Sequence, residues 1–144
     1  MDSLYLTNGA IDPGLIAKRI SVLSNNKKTG GHSIFLGQVR DDDIDGKRVV
    51  AIEYSAYEEM VEKEAARITE TVKNAFSDVH EVTIVHATGK VEAGALSLFV
   101  LVTAGHRNQA MRACRHVVEM IKENYPVWKK ELFQDNTSRW KENE

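Results

Sequence analysis

Apolar residues along the chain follow two rhythms, alternation and a period of about 3.6, and their succession predicts the order of elements. Ser3 to Thr7 (SLYLT) alternates, with Leu4 and Leu6 on one face and Tyr5 on the other, as in a short strand. Asp12 followed by Pro13 marks a helix start, a capping carboxylate and then proline in the first turn. Leu15, Ile16, Ile20 and Leu23 continue at helical spacing, and the polar stretch from Asn25 to Gly31 ends it. His32 to Arg40 (HSIFLGQVR) reads as a strand with a bulge at Gly37. The turn from Asp41 to Lys47, with Asp45-Gly46 at its tip, predicts a hairpin, and Arg48 to Ala56 would be its return strand.

Tyr57 to Phe76 gives the clearest helix, because Val61, Ala65, Ile68, Val72, Ala75 and Phe76 make one apolar stripe. Val79 to Val91 is a long strand region. Gly94 to Ala104 is more continuously apolar, the pattern of a strand buried on both faces. The short link between them suits an antiparallel pair. A third helix follows Gly105 and ends before Pro126, since proline disfavours helical geometry in the preceding residue. On its wheel Met111, Cys114, Val117, Val118 and Ile121 form the inward face, with Arg115, Glu119 and Lys122 along its flank. A short strand or hairpin around Leu132-Phe133 and Arg139-Trp140 closes the chain. The order β-α-β-β-α-β-β-α predicts one α+β domain over residues 1–144, an antiparallel or mixed sheet covered by about three helices.

Composition narrows the classes. The 144 residues suffice for one substantial core, and 42% hydrophobic with 28% charged residues is ordinary for a globular protein. A pI of about 6.2 disfavours bulk nucleic-acid binding. No apolar run approaches the roughly 20 residues of a bilayer span, and the N-terminal stretch has no signal-peptide pattern, so a cytoplasmic protein is expected. The single cysteine, Cys114, excludes an internal disulfide and a multi-cysteine zinc site, and the five histidines lack metal-ligand spacing; no metal or cofactor is expected.

Charge is uneven. Gly105 to Glu131 holds six Lys/Arg against three Asp/Glu in a chain of formal net charge -2. His106 and Arg107 open the third helix where a strand end meets a helix N-terminus, a favourable place for an anion. A capping histidine with a solvent-exposed arginine explains the pair equally well. Arg40 ends an apolar strand next to three aspartates and reads first as a paired surface charge. Lys122 lies at the border of the third helix's apolar face, where a lysine is partly desolvated, and Lys129-Lys130 follow Pro126. Cys114 faces inward and reads as a buried small hydrophobe. By themselves these residues define an α+β domain with a candidate anion site.

Three segments go further. FLGQVRD (Phe35 to Asp41), AGHR (Ala104 to Arg107) and IKENYPVWKKE (Ile121 to Glu131), with Arg139-Trp140, resemble the large, catalytic subunit of molybdopterin synthase, in order from about residue 32 onward. The resemblance implies an α/β-hammerhead fold. It also implies sulfur transfer to cyclic pyranopterin monophosphate (precursor Z), which installs the dithiolene of molybdopterin. The sulfur would arrive as a thiocarboxylate on the C-terminal Gly-Gly of a small ubiquitin-like carrier subunit, and the catalytic subunit would form a homodimer within a heterotetramer. The family's substrate-contacting positions fall on Gln38, Val39, Arg40, His106, Arg107, Lys122, Lys129, Lys130 and Glu131, and its catalytic lysines on Lys122 and Lys129. Gln38 stands where some members carry lysine. The alternative is a non-enzymatic module of the same fold that binds an anion or a carrier's tail.

Overall fold

The computed structural model describes residues 4–141, so Ser3, the first residue of the expected opening strand, lies outside the described residues. The elements are β1 (Leu6–Asn8), α1 (Pro13–Leu23), β2 (Gly31–Gln38), β3 (Asp43–Ile44), β4 (Lys47–Ala56), α2 (Glu58–Ala75), β5 (Val79–Glu92), β6 (Leu96–Ala104), α3 (Arg107–Asn124), β7 (Val127–Phe133) and β8 (Ser138–Lys141). The strands form one sheet in the order β2-β6-β5-β4-β7-β8, with β1 added to β5 and β3 to β4. All pairs are antiparallel except β1 with β5. This is the α+β architecture with three covering helices that the pattern predicts.

Local chemistry explains most element ends. Asp12 caps α1 by accepting a hydrogen bond from Gly14 N at 2.9 Å, and Pro13 occupies its first turn. Gly94 turns β5 into β6 at φ 90°, a left-handed conformation that suits glycine. The bulge expected at Gly37 appears as a register shift between Gly37 and Gln38 against β6.

The core sits on both faces of β6, which is buried from Ser97 to Ala104. On one face Leu98, Val100, Val102 and Ala104 join the stripe Val61, Ala65, Ile68 and Val72 of α2 and Ala110, Ala113, Cys114 and Val117 of α3. On the other, Phe99 and Leu101 meet Ile11 and Ile16, the latter in α1. Two stripe residues behave otherwise than their spacing implies: Met111 is 61% exposed, and Ala75 is exposed at the end of α2. Met111 stands at the margin of the apolar stripe, and the smaller Ala110 and Ala113 face the sheet. Small residues there let α3 approach closely.

The expected hairpin between the second strand and Arg48–Ala56 does not form. The turn closes only a two-residue ladder, Asp43 opposite Arg48 and Ile44 opposite Lys47. β2 instead pairs with β6 at the sheet edge, and β4 lies between β5 and β7. β4 buries Val49, Ala51, Ile52 and Tyr54, and as an inner strand it finds backbone partners on both edges. The turn signal was correct, but which strands it joined was decided by distant partners.

Gly30 and Gly31 do more than end α1. They lie against the β6–α3 connection, so close that a Cβ on Gly30 would collide with the carbonyl oxygen of Gly105. The Cβ position is fixed by the Gly30 backbone and its neighbour is a backbone carbonyl, so no side-chain rotation relieves the clash. Gly30→Ala is therefore expected to destabilise the fold by about 1–3 kcal/mol, read as a lowered urea midpoint at unchanged m-value.

Candidate active site

A cleft of about 400 Å³ opens at the C-terminal end of α3, within the size range of small-molecule sites. Its walls come from the end of β2 and the residues after it (Phe35 to Arg40), from Ile52 and Tyr54 of β4, and from His86 of β5. Ile121, Lys122 and Tyr125 at the end of α3, Val127, Lys129 and Glu131 of β7, Ser97 and Leu98 of β6, and Asp42 and Lys141 complete them.

The two lysines reach the cleft for different reasons. Lys122 lies in the last turn of α3, where a cation also complements the helix dipole. Pro126 and the β7 start at Val127 then reverse the chain, and alternation along β7 sends Val127, Lys129, Glu131 and Phe133 inward. Lys130 therefore points to the opposite face, where its ammonium lies 3.9 Å from Glu53 and 5.3 Å from the centroid of the Trp140 ring. Glu131 is almost fully buried in the cleft wall and accepts a hydrogen bond from Arg139 Nε at 2.9 Å. Arg40 stands at the rim in an exposed 3.2 Å pair with Asp42, so the bland reading of a paired surface charge also holds.

Gln38, Val39, Arg40, Lys122, Lys129 and Glu131 thus line one cleft, but His106, Arg107 and Lys130 do not line it within a single chain. His106 and Arg107 open α3, whereas Lys122 lies near its other end; sixteen residues of helix separate His106 from Lys122 by about 24 Å. His106 is tied down there by Asp78, whose Oδ2 accepts from the His106 backbone N at 2.8 Å and lies 3.1 Å from Nδ1. Partial burial raises the Asp78 carboxyl, but the His106 hydrogen bonds outweigh it and hold the group below its ordinary pKa.

Sequence reasoning missed a buried histidine in the cleft lining. His86 is 5% exposed, with its ring edge-on to Tyr54 (5.2 Å) and tilted against Tyr125 (6.3 Å). Its Nδ1 is 2.7 Å from the carbonyl oxygen of Ala87. Burial pushes its pKa down to about 4; the Ala87 hydrogen bond opposes the shift, and the positive charges of Lys129 and Lys122 add to it. Both ammonium groups therefore act on one buried neutral imidazole. The available signal was a lone titratable residue between Val85 and Ala87, in a strand otherwise rich in apolar residues. Cys114 is buried as its helical register implies; burial raises its thiol pKa against weaker opposing contacts from Ser33 and Phe35.

A mixed sheet with helices on both faces and a lysine-lined cleft at one helix end defines a class: an α+β protein with a cleft of small-molecule size. Residues 6–124 match the family model described as MoaE protein. The molybdopterin synthase catalytic subunit of Nostoc is 36% identical over 126 residues, covering 88% of this chain and 76% of the relative. That of Drosophila grimshawi is 34% identical over 144 residues, covering 99% of this chain but only 38% of the longer insect protein. The crystal structure of molybdopterin synthase from Staphylococcus aureus superposes with a TM-score of 0.85 at 28% identity, covering 99% of this chain and 98% of that one. A protein–protein complex of subunits 1 and 2 of molybdopterin-converting factor from Helicobacter pylori shares the fold at TM-score 0.80 and 22% identity, with 94% and 88% covered. The chain belongs to the MoaE family, the molybdopterin synthase catalytic subunits.

His86 makes the stability pH-dependent. The folded state keeps the imidazole neutral down to about pH 4, whereas the unfolded chain takes up a proton near its ordinary value of 6.5. Stability from this group is fully present above that value and falls as pH drops towards 4, by on the order of 3 kcal/mol. Urea unfolding at pH 7 and pH 4.5 should show the loss, and His86→Phe should remove this part of the pH dependence.

Proposed function

We propose that the chain transfers sulfur from a thiocarboxylated carrier subunit to precursor Z, with Lys122 and Lys129 as its catalytic pair. The observation that carries this reading is the meeting of the two lysines, from α3 and β7, on one cleft with Gln38, Val39, Arg40 and Glu131. A thiocarboxylate tail and a cyclic phosphate both bring negative charge, and two ammonium groups balance it at close range. As sulfur leaves the carrier and bonds to the pterin, protons must be given up and taken, and lysines on the cleft wall suit that work. The small-subunit partner agrees with the two-subunit nature of the similar Helicobacter pylori complex. Buried Cys114 is not needed, because the carrier brings the sulfur.

His106 and Arg107 enter this reading through a second copy of the chain. β2 is an edge strand whose Ile34, Phe35 and Leu36 are 36–42% exposed, an apolar edge that invites pairing. Antiparallel pairing of β2 with its symmetry mate would set the Gly31 end of one copy beside the Gln38 end of the other. Gly31 packs against Arg107, and Gln38 borders the cleft. A two-fold dimer through this edge carries the His106-Arg107 pair of each protomer towards the cleft of its partner. Lys130 then serves on the outer face of β7 rather than in the cleft.

Purified protein, a thiocarboxylated carrier and precursor Z, assayed for molybdopterin, test the activity directly. Lys122→Ala should lower single-turnover product formation by about a hundredfold or more with much smaller loss of substrate binding; near-normal turnover removes it from the mechanism. Binding without turnover by the unaltered chain would favour the non-enzymatic module. The dimer reading has its own test. Lys122→Ala and Arg107→Ala should each be impaired as pure dimers, while mixing after dissociation creates hybrids with one intact cleft. Recovery of up to about a quarter of normal activity is expected, and no recovery on verified hybrid formation places both residues in the same protomer's site.

A further inference from the structure

Among the charged side chains of the cleft, donors predominate. Lys122, Lys129 and Arg40 only donate, the Glu131 carboxylate is engaged by Arg139, and Asp42 by Arg40. His86 differs. A backbone carbonyl cannot donate, so the 2.7 Å contact of Nδ1 with Ala87 O fixes the proton on Nδ1 and leaves Nε2 a bare acceptor. Among the described residues Nε2 has no hydrogen bond, yet the one sealed-off side-chain polar atom without a partner there is Tyr125 OH. Nε2 therefore keeps access to solvent, and the cleft that His86 lines is the opening available to so buried a ring.

The ring is also held in place. The His86 backbone N donates to Tyr5 O at 2.9 Å, and β5 passes at this residue from pairing with β6 to pairing with β1. Tyr54 and Tyr125 flank the imidazole on two sides. The nearby ammonium groups disfavour a proton on Nε2, so the acceptor stays an acceptor at neutral pH.

From this geometry we infer that His86 is a ligand-positioning residue: its Nε2 accepts a hydrogen bond from a planar amide-type N–H of the molecule held in the cleft. Under the proposed function two ligands carry such a group, the lactam ring of the pterin and the backbone amides of the carrier's Gly-Gly tail, and the inference rests on that reading. An acceptor in the lining of a lysine-bearing cleft fixes orientation where the lysines alone fix charge. It rejects a ligand whose N–H is missing or turned away.

The test uses the full chain in three forms, unaltered, His86→Phe and His86→Gln. Phenylalanine keeps the ring volume between the tyrosines and loses the acceptor; glutamine returns an acceptor oxygen. Each form is titrated calorimetrically with precursor Z alone and with thiocarboxylated carrier alone. His86→Phe should weaken one of the two by about tenfold and leave the other unchanged, with His86→Gln recovering most of the loss. The arm that weakens identifies the donor. In a ¹⁵N spectrum of labelled imidazole, the Nε2 resonance should move on addition of that ligand while Nδ1 stays. Undiminished binding of both ligands by His86→Phe, with Nε2 unmoved at saturation, overturns the assignment. So does equal weakening of both with a lowered melting temperature and no rescue by glutamine, which marks a ring that only holds the cleft's shape. Failure of the unaltered chain to bind either ligand overturns the proposed function as well.

Discussion

Strand β5 has to serve two neighbours in succession, and the rest of the molecule follows from that constraint. Over Val79 to His86 it pairs with β6, and over Gly89 to Glu92 with β4. At the changeover, His86 to Thr88 pair with β1. Fourteen residues of one strand thereby join two platforms: β2 and β6, which carry α3, and β4, β7 and β8, which carry Lys129. The cleft is the space between the platforms, and His86 sits at their joint. A strand this long twists along its length, so two sheets sharing it diverge and leave room for a ligand.

That arrangement also decides which charges can meet. α3 spans one platform from end to end, so its N-terminal His106-Arg107 and its C-terminal Lys122 serve different places. What joins Lys122 to Lys129 is the reversal at Pro126 followed by insertion of β7 beside β4. Register then sorts adjacent residues with opposite consequences: Lys129 and Glu131 face the cleft, while Trp128 and Lys130 face away. A shift of β7 by one residue would exchange the two sets, turning Trp128 and Lys130 into the cleft wall and taking Lys129 and Glu131 out of it.

Burial costs in the cleft are met unevenly. Glu131, almost fully buried, has Arg139 as a hydrogen-bonded counter-charge. His86 has none and stays neutral, its Nδ1–H satisfied by Ala87. Tyr125 OH is buried without a partner among the described residues, a polar cost in the wall of the same cleft. Departures from full satisfaction gathered at one place are expected where a site is organised for a ligand rather than for stability.

Periodicity alone fixed much of this molecule. The α1 cap at Asp12, the buried stripe of α2, the doubly buried β6, the Gly37 bulge and the stop before Pro126 are short-range effects, legible because neighbouring residues decide them. The family resemblance, rather than spacing, singled out Lys122 and Lys129, and spacing alone gave no reason for them to meet. Pairing partners were another matter. The Asp45-Gly46 turn forms, but the hairpin expected of it does not join β2 to β4: β4 pairs with β5 and β7, because a buried inner strand must satisfy both edges and the nearest strand in sequence has no privilege. The same non-local choice placed His86 among the lysines and left His106 and Arg107 at the far end of α3. A residue's local pattern determines which way it faces; only the closed sheet determines what stands opposite it.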